Sequence, residues 1–164
     1  MLFRSSKILS PHLRLGYIVA PRETVNALAR QILLLDRQGD QVMELAIATF
    51  IEAGELTRHA RRAMTVYQCR RDAFAKSLVG TFGDRIRFNV PAGGLAFWLE
   101  FNDNEDLDRI ELYAKRTGLR LLQSEQFRQS PHAARGLRLG FASKTETEAA
   151  ASLSLLGRAS IDHS

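Results

Sequence analysis

The sequence predicts an α+β (α/β) fold, a small antiparallel or mixed sheet covered on one face by helices and preceded by long helices. Three observations carry this reading. Apolar residues recur every three and four positions from Val25 to Leu78; they alternate with other residues from Ile86 to Phe101; and they alternate again from Gly136 to Ala142, with helical spacing before and after that last run.

Residues 13–21 read Leu-Arg-Leu-Gly-Tyr-Ile-Val-Ala-Pro, a β-rich apolar run stopped by proline, which predicts a buried strand whose sheet partners lie elsewhere. Thr24 is placed to cap a helix carrying Val25, Leu28, Ala29 and Ile32 and ending near Gly39. Val42, Leu45, Ala46, Thr49 and Phe50 form a second helical stripe that stops at Gly54. Leu56, Ala60, Ala63, Tyr67, Phe74 and Leu78 mark a third, about six turns long, of the kind that bridges two domains.

After Gly83 the period falls to two. Ile86, Phe88 and Val90, then Leu95, Phe97, Leu99 and Phe101, predict a hairpin closed by Pro91-Ala92-Gly93-Gly94, where glycine supplies the backbone freedom of a tight turn. A helix capped at Asp103 or Asn104 carries Leu107, Ile110, Tyr113 and Ala114 and stops at Gly118. Strands follow at 119–122 and 136–142, the second with Leu137, Leu139 and Phe141 on one face and Arg138 on the other. Thr145 and Glu148 have capping-box spacing ahead of a last helix through Leu153 and Leu156.

The chain has 164 residues, 45% hydrophobic and 25% charged, which is enough for one core, or for a small domain plus part of another, and argues against disorder. Nothing in it resembles a signal peptide or a spanning helix, so a cytoplasmic location is expected. Cys69 stands alone, which excludes an intrachain disulfide and a multi-cysteine zinc site; its helical setting predicts a partly buried thiol. The net charge of +5 and the basic run Arg58, His59, Arg61, Arg62, Arg70 and Arg71 raise the question of nucleic acid. No DNA- or RNA-binding motif accompanies the run, so it reads as a solvated or interfacial helix face, and no nucleic acid is expected to bind this chain itself. His12, His59, His132 and His163 lack metal-ligand spacing, the 125–128 region offers no clear acid or base, and Trp98, opposite Phe97, is expected under a helix or at an interface.

Three elements remain: Ser6-Lys7, Arg14 seven residues on, and Arg138 in the strand Arg-Gly-Leu-Arg-Leu-Gly-Phe-Ala. Spacing alone would make Lys7 a surface lysine and both arginines solvent-facing members of half-buried strands. In this order, however, the blocks 6–17, 90–95 and 136–142 resemble the C-terminal part of fold type I enzymes dependent on pyridoxal 5'-phosphate (PLP), as in the aminotransferase-like domain of MocR-type regulators of the GntR superfamily. The resemblance runs from Ser6 to about Ala159.

That resemblance implies a division into a remnant of the PLP-binding large domain at 1–24, a helical connector at 25–80 that includes the long interdomain helix, and the small C-terminal domain at 81–164. It implies that Lys7 forms the internal aldimine, helped by a neighbouring cation that keeps its amine partly neutral. Ser6 and Arg14 would bind the cofactor phosphate, and Arg138 the α-carboxylate of an amino acid, through the fork that matches two oxygens. The family's stacking aromatic ring, its acidic partner of the pyridine nitrogen and its glycine-rich phosphate turn all precede the lysine, and only six residues do so here. Arg4 also stands where a serine or threonine is usual. The expectation is therefore a truncated region that binds neither PLP nor DNA by itself and is not an enzyme alone, although the family chemistry would be that of an aminotransferase. An amino acid or amine effector and a homodimer are the expected partners, with the orphaned strand adding to self-association. Two alternatives stay open: a fragment of a genuine class I/II aminotransferase, and a cofactor-free α+β interaction module.

Overall fold

The computed structural model describes residues 2–4, 15–36, 39–127 and 134–160, which form two compact units, Met1–Met64 and Thr65–Ser164. In the first unit, strand β1 (Leu2–Arg4) pairs antiparallel with β2 (Gly16–Ile18), with Leu2 opposite Ile18 and Arg4 opposite Gly16. The strand expected to be buried and without a nearby partner therefore has one at the very start of the chain. It is also open to solvent, with Ile18 52% and Val19 59% exposed.

Helix α1 (Arg22–Asp36) begins two residues before Thr24. The Pro21 carbonyl accepts the first helical hydrogen bond, from the Val25 N–H at 3.1 Å, so Thr24 lies inside the first turn and is not its cap. Helix α2 (Gln41–Glu52) is capped by Asp40, whose carboxylate accepts the Met43 N–H at 3.0 Å. The stripe that defines α2 in sequence is uncovered: Val42 is 82% exposed and Leu45 70%, while Ile47, between them and Phe50, is the buried residue. Periodicity predicted the helix correctly and its buried face incorrectly.

Helix α3 (Glu55–Phe82) runs from the first unit into the second and is 28 residues long. Its C-terminal half contributes Phe74, Leu78 and Phe82 to the core of the second unit. There the sheet has the order β3-β4-β5, antiparallel throughout: β3 (Ile86–Arg87), β4 (Ala96–Phe101) and β5 (Gly136–Gly140). The hairpin exists, but its first arm keeps only two paired residues, and 88–95 form an irregular connection. The expected strand at 119–122 finds no sheet partner among the described residues. The Leu121 N–H turns back onto the Leu119 carbonyl at 3.0 Å, which bends the backbone out of ladder geometry while both leucines pack against the core.

Alternation puts Phe97, Leu99 and Phe101 of β4 and Leu137 and Leu139 of β5 on one face, under α3, α4 (Asn104–Thr117) and α5 (Glu146–Ala159). The other face carries Ala96, Trp98 and Glu100 opposite Gly140, Arg138 and Gly136. Asp103 caps α4, its carboxylate accepting the Glu105 N–H at 2.9 Å, and Gly118 ends it at φ +71°, a left-handed position that suits glycine. Asp106, buried in the first turn of α4, faces Arg109 at 3.4 Å and Arg85 at 3.8 Å; Arg85 also donates to the Ser160 hydroxyl at 2.6 Å. This cluster ties the end of α3 to α4 and α5 through charge-assisted bonds.

The capping box of α5 forms as expected: the Thr145 N–H donates to Glu148 at 2.8 Å and the Glu148 N–H to the Thr145 hydroxyl at 3.3 Å. The backbone N–H and then the hydroxyl of Thr145, with the charges of Lys144 and Arg70 behind them, hold the Glu148 carboxyl below its ordinary range. A folded-state pKa below the unfolded one gives a contribution that is complete above the unfolded value and lost as pH falls through the folded value. Thr145→Ala is expected to cost about 1 kcal/mol at neutral pH. Urea midpoints measured down to acid pH should then show the difference from the parent shrinking as Glu148 protonates.

Candidate functional site

The open face of β4 and β5 holds the one predicted site residue that lies among those described. Arg138 is exposed at the middle of β5, directly opposite Trp98 of β4, and has no hydrogen-bonding or ionic partner among the described residues. Arg135, three positions earlier, is its opposite. One of its guanidinium nitrogens lies 2.5 Å from Asp108, 3.7 Å from Glu111 and 3.4 Å from the Ser124 hydroxyl. The hydrogen bond to Asp108 and the surrounding carboxylates raise its already high pKa against a smaller desolvation penalty. Arg135 is committed to structure, whereas Arg138 is exposed and free of such partners among the described residues.

Trp98 is fixed from two sides. A 3₁₀ turn at Ser124–Phe127 brings the Phe127 ring edge-on to the indole, with centroids 5.7 Å apart and planes at 78°. The turn is anchored to α4, because Glu111 accepts the Ser124 N–H at 2.5 Å while Arg135 reaches the Ser124 hydroxyl. On the other side the indole lies across Gly136, where a Cβ would sit 2.4 Å from Trp98 Cζ2 and 2.7 Å from the Leu99 carbonyl oxygen. Trp98 therefore packs against a short 3₁₀ turn, where a helix or an interface was expected. Phe127, Gly136 and Glu111 were not singled out from sequence. A glycine inside an alternating strand is the available signal, since it marks a close approach by another group.

Ser6, Lys7 and Arg14 lie outside the described residues, as do His12, His132 and His163. The donor set assigned to PLP suits that cofactor chemically, with an amine, a hydroxyl and a guanidinium for phosphate, and a second guanidinium for a carboxylate; only Arg138 of that set is described. Among the described residues no group of three His, Cys, Asp or Glu side chains is placed to hold a metal ion, and no helix is long and apolar enough to cross a membrane. Cys69 is exposed, contrary to the expectation from its helical setting, because it falls between the apolar positions of α3. The basic run is engaged locally: Arg58 pairs with Glu55, Arg70 donates to the Ala142 carbonyl, and Arg71 pairs with Asp72 at 2.8 Å and reaches the Pro91 carbonyl at 3.3 Å.

The fold is that of aminotransferases of known structure. The chain superposes over 98% of its length on 40% of the crystal structure of a kynurenine aminotransferase from Pyrococcus horikoshii, with a TM-score of 0.84 at 21% identity. In sequence it is 26% identical over 136 residues to aromatic-amino-acid aminotransferase 1 of Thermococcus litoralis, covering 83% of this chain and 33% of that protein. It is 29% identical over 105 residues to YisV of Bacillus subtilis, an uncharacterized HTH-type transcriptional regulator, covering 64% of this chain and 22% of that protein. No protein-family model matches. The chain thus spans a third or less of these curated relatives. It is a partial aminotransferase-like region with the fold of the C-terminal part of a fold type I PLP-dependent domain, and its relatives include both aminotransferases and HTH-type regulators.

Proposed function

We propose that this chain is the C-terminal, effector-sensing region of a MocR-type regulator in the GntR superfamily, built as a large-domain remnant at 1–24, a helical connector at 25–80 and a small domain at 81–164. The observation that carries the reading is Arg138, an exposed guanidinium on the open sheet face with no partner among the described residues, suited to the carboxylate of an amino acid. Ser6, Lys7 and Arg14 would hold PLP, which when bound supplies an electron sink beside the amino acid's α-carbon. The chain's own part would be to hold and orient: Lys7 would offer an amine for covalent attachment, Arg14 would neutralise phosphate, and Arg138 would hold the carboxylate of the amino acid. The region works in the cytoplasm, as part of a homodimer, and DNA reading is not assigned to it.

The second reading, a fragment of a true aminotransferase, is favoured by one observation: the aminotransferase relative matches 83% of the chain against 64% for the regulator. Titration of the chain with PLP tests the cofactor reading. A band near the visible edge that is removed by borohydride and absent in Lys7→Ala would support these residues as the cofactor's holders; no saturable, Lys7-dependent band would overturn PLP binding by this chain itself. Amino-group transfer to an oxo acid by the loaded chain would decide for the enzyme.

A further inference from the structure

We propose that Trp98, held between Gly136 and Phe127, is the specificity wall of the Arg138 site and selects carboxylic acids that carry an aromatic or other large apolar group. The inference rests on the reading of Arg138 as a carboxylate ligand and adds the chemistry of the rest of the molecule bound there.

The argument is steric and then chemical. Along the open face the opposed pairs are Glu100 with Gly136, Trp98 with Arg138, and Ala96 with Gly140. The indole leans over Gly136, because only that residue leaves the space it fills. A Cβ built at Gly140 meets only the Leu95 carbonyl oxygen, at 3.6 Å, so the indole does not lie over Gly140, and the pair Ala96 and Gly140, with a single methyl group between them, makes a flat floor next to the pair Trp98 and Arg138. An acid gripped at Arg138 must lay its remaining atoms on that floor. A broad, open hollow borders Ala96, Trp98 and Glu100 of β4 on the side of β3, lined also by Arg87, Phe88 and Pro91, so a flat body has room beside the indole. The indole is half-buried, and aromatic contact favours rings over small or charged groups. Glu100, on the same face, opposes a second carboxylate by like charge. Phe127 and Gly136 act through Trp98 and are positioning residues; they set where the wall stands.

The chain contains a single tryptophan, so its emission reports from this site alone. The full chain is titrated with 3-phenylpropionate, acetate and succinate, read by Trp98 fluorescence and independently by calorimetry, with circular dichroism to confirm that each variant is folded. The expected result is that 3-phenylpropionate binds at least tenfold more tightly than acetate or succinate. Trp98→Leu, followed by calorimetry, should bring that preference close to unity; Phe127→Ala should reduce it and Phe127→Leu largely restore it. Arg138→Gln should weaken all three acids together. If the three acids bind alike and all depend on Arg138, the wall is disproved and the carboxylate reading stands. If no acid gives an Arg138-dependent response, both fall.

Discussion

Phe97→Ala is expected to remove about 3–5 kcal/mol from the stability of the second unit, a large share of the 5–15 kcal/mol typical of a domain. Phe97 is 1% exposed near the start of the middle strand and meets three other rings: Phe74 stacked at 5.4 Å, Phe141 edge-on at 5.5 Å and Phe88 edge-on at 5.6 Å. Truncation forfeits the transfer energy of the ring and leaves a cavity bounded by rigid aromatic faces from three separate elements, which cannot close together without moving the backbone. Phe88→Ala serves as the comparison, because Phe88 is only partly buried and comes from the irregular connection after β3. Urea unfolding followed by Trp98 emission and far-ultraviolet dichroism should show a sharp fall in midpoint for Phe97→Ala and a smaller one for Phe88→Ala, with the denaturant slope preserved. A loss below about 1 kcal/mol would mean that this ring cluster is not the centre of the core.

What was legible in the sequence is what depends on near neighbours. The Asp103 cap, the Gly118 stop and the Thr145–Glu148 box are each decided within four residues, so their spacing identified them. The alternation of β4 and β5 was equally plain because one face of each is buried under α3, α4 and α5. Pairings and exposures set at a distance were not legible. Nothing in Leu-Phe-Arg at positions 2–4 identifies it as the partner of β2, since a three-residue strand has almost no pattern of its own. The stripes on α1 and α2 show that an apolar face exists and not what covers it, and here Val25 is 42% and Ile32 56% exposed. At the candidate site, Arg138 stands out in the sequence only through the resemblance of its block, while the turn bearing Phe127 is inconspicuous because its polar residues suggest no acid or base. Its contribution is an aromatic contact that requires the strand register to be known.

The consequence of that register is sharpest at Gly136. Gly136→Ala adds one methyl group where two different obstacles stand, the Trp98 indole at 2.4 Å and the Leu99 carbonyl oxygen at 2.7 Å. The first is a side chain that can swing away at the expense of its contact with Phe127; the second is the backbone of the adjacent strand, inside the ladder that joins β4 to β5. The expected cost is about 1–3 kcal/mol, the range for overpacking a well-filled position. The two obstacles separate in a double variant. Trp98→Ala clears the indole but leaves the carbonyl in place, so Gly136→Ala should cost less in the Trp98→Ala background than in the parent, yet more than nothing. Far-ultraviolet dichroism is the proper probe, because two of the four proteins in that cycle lack the only tryptophan. Equal costs in both backgrounds would place the whole strain on the backbone and show that the indole yields freely. An indole that yields freely would be a poor wall for the Arg138 site, so the same cycle bears on selectivity as well as on stability.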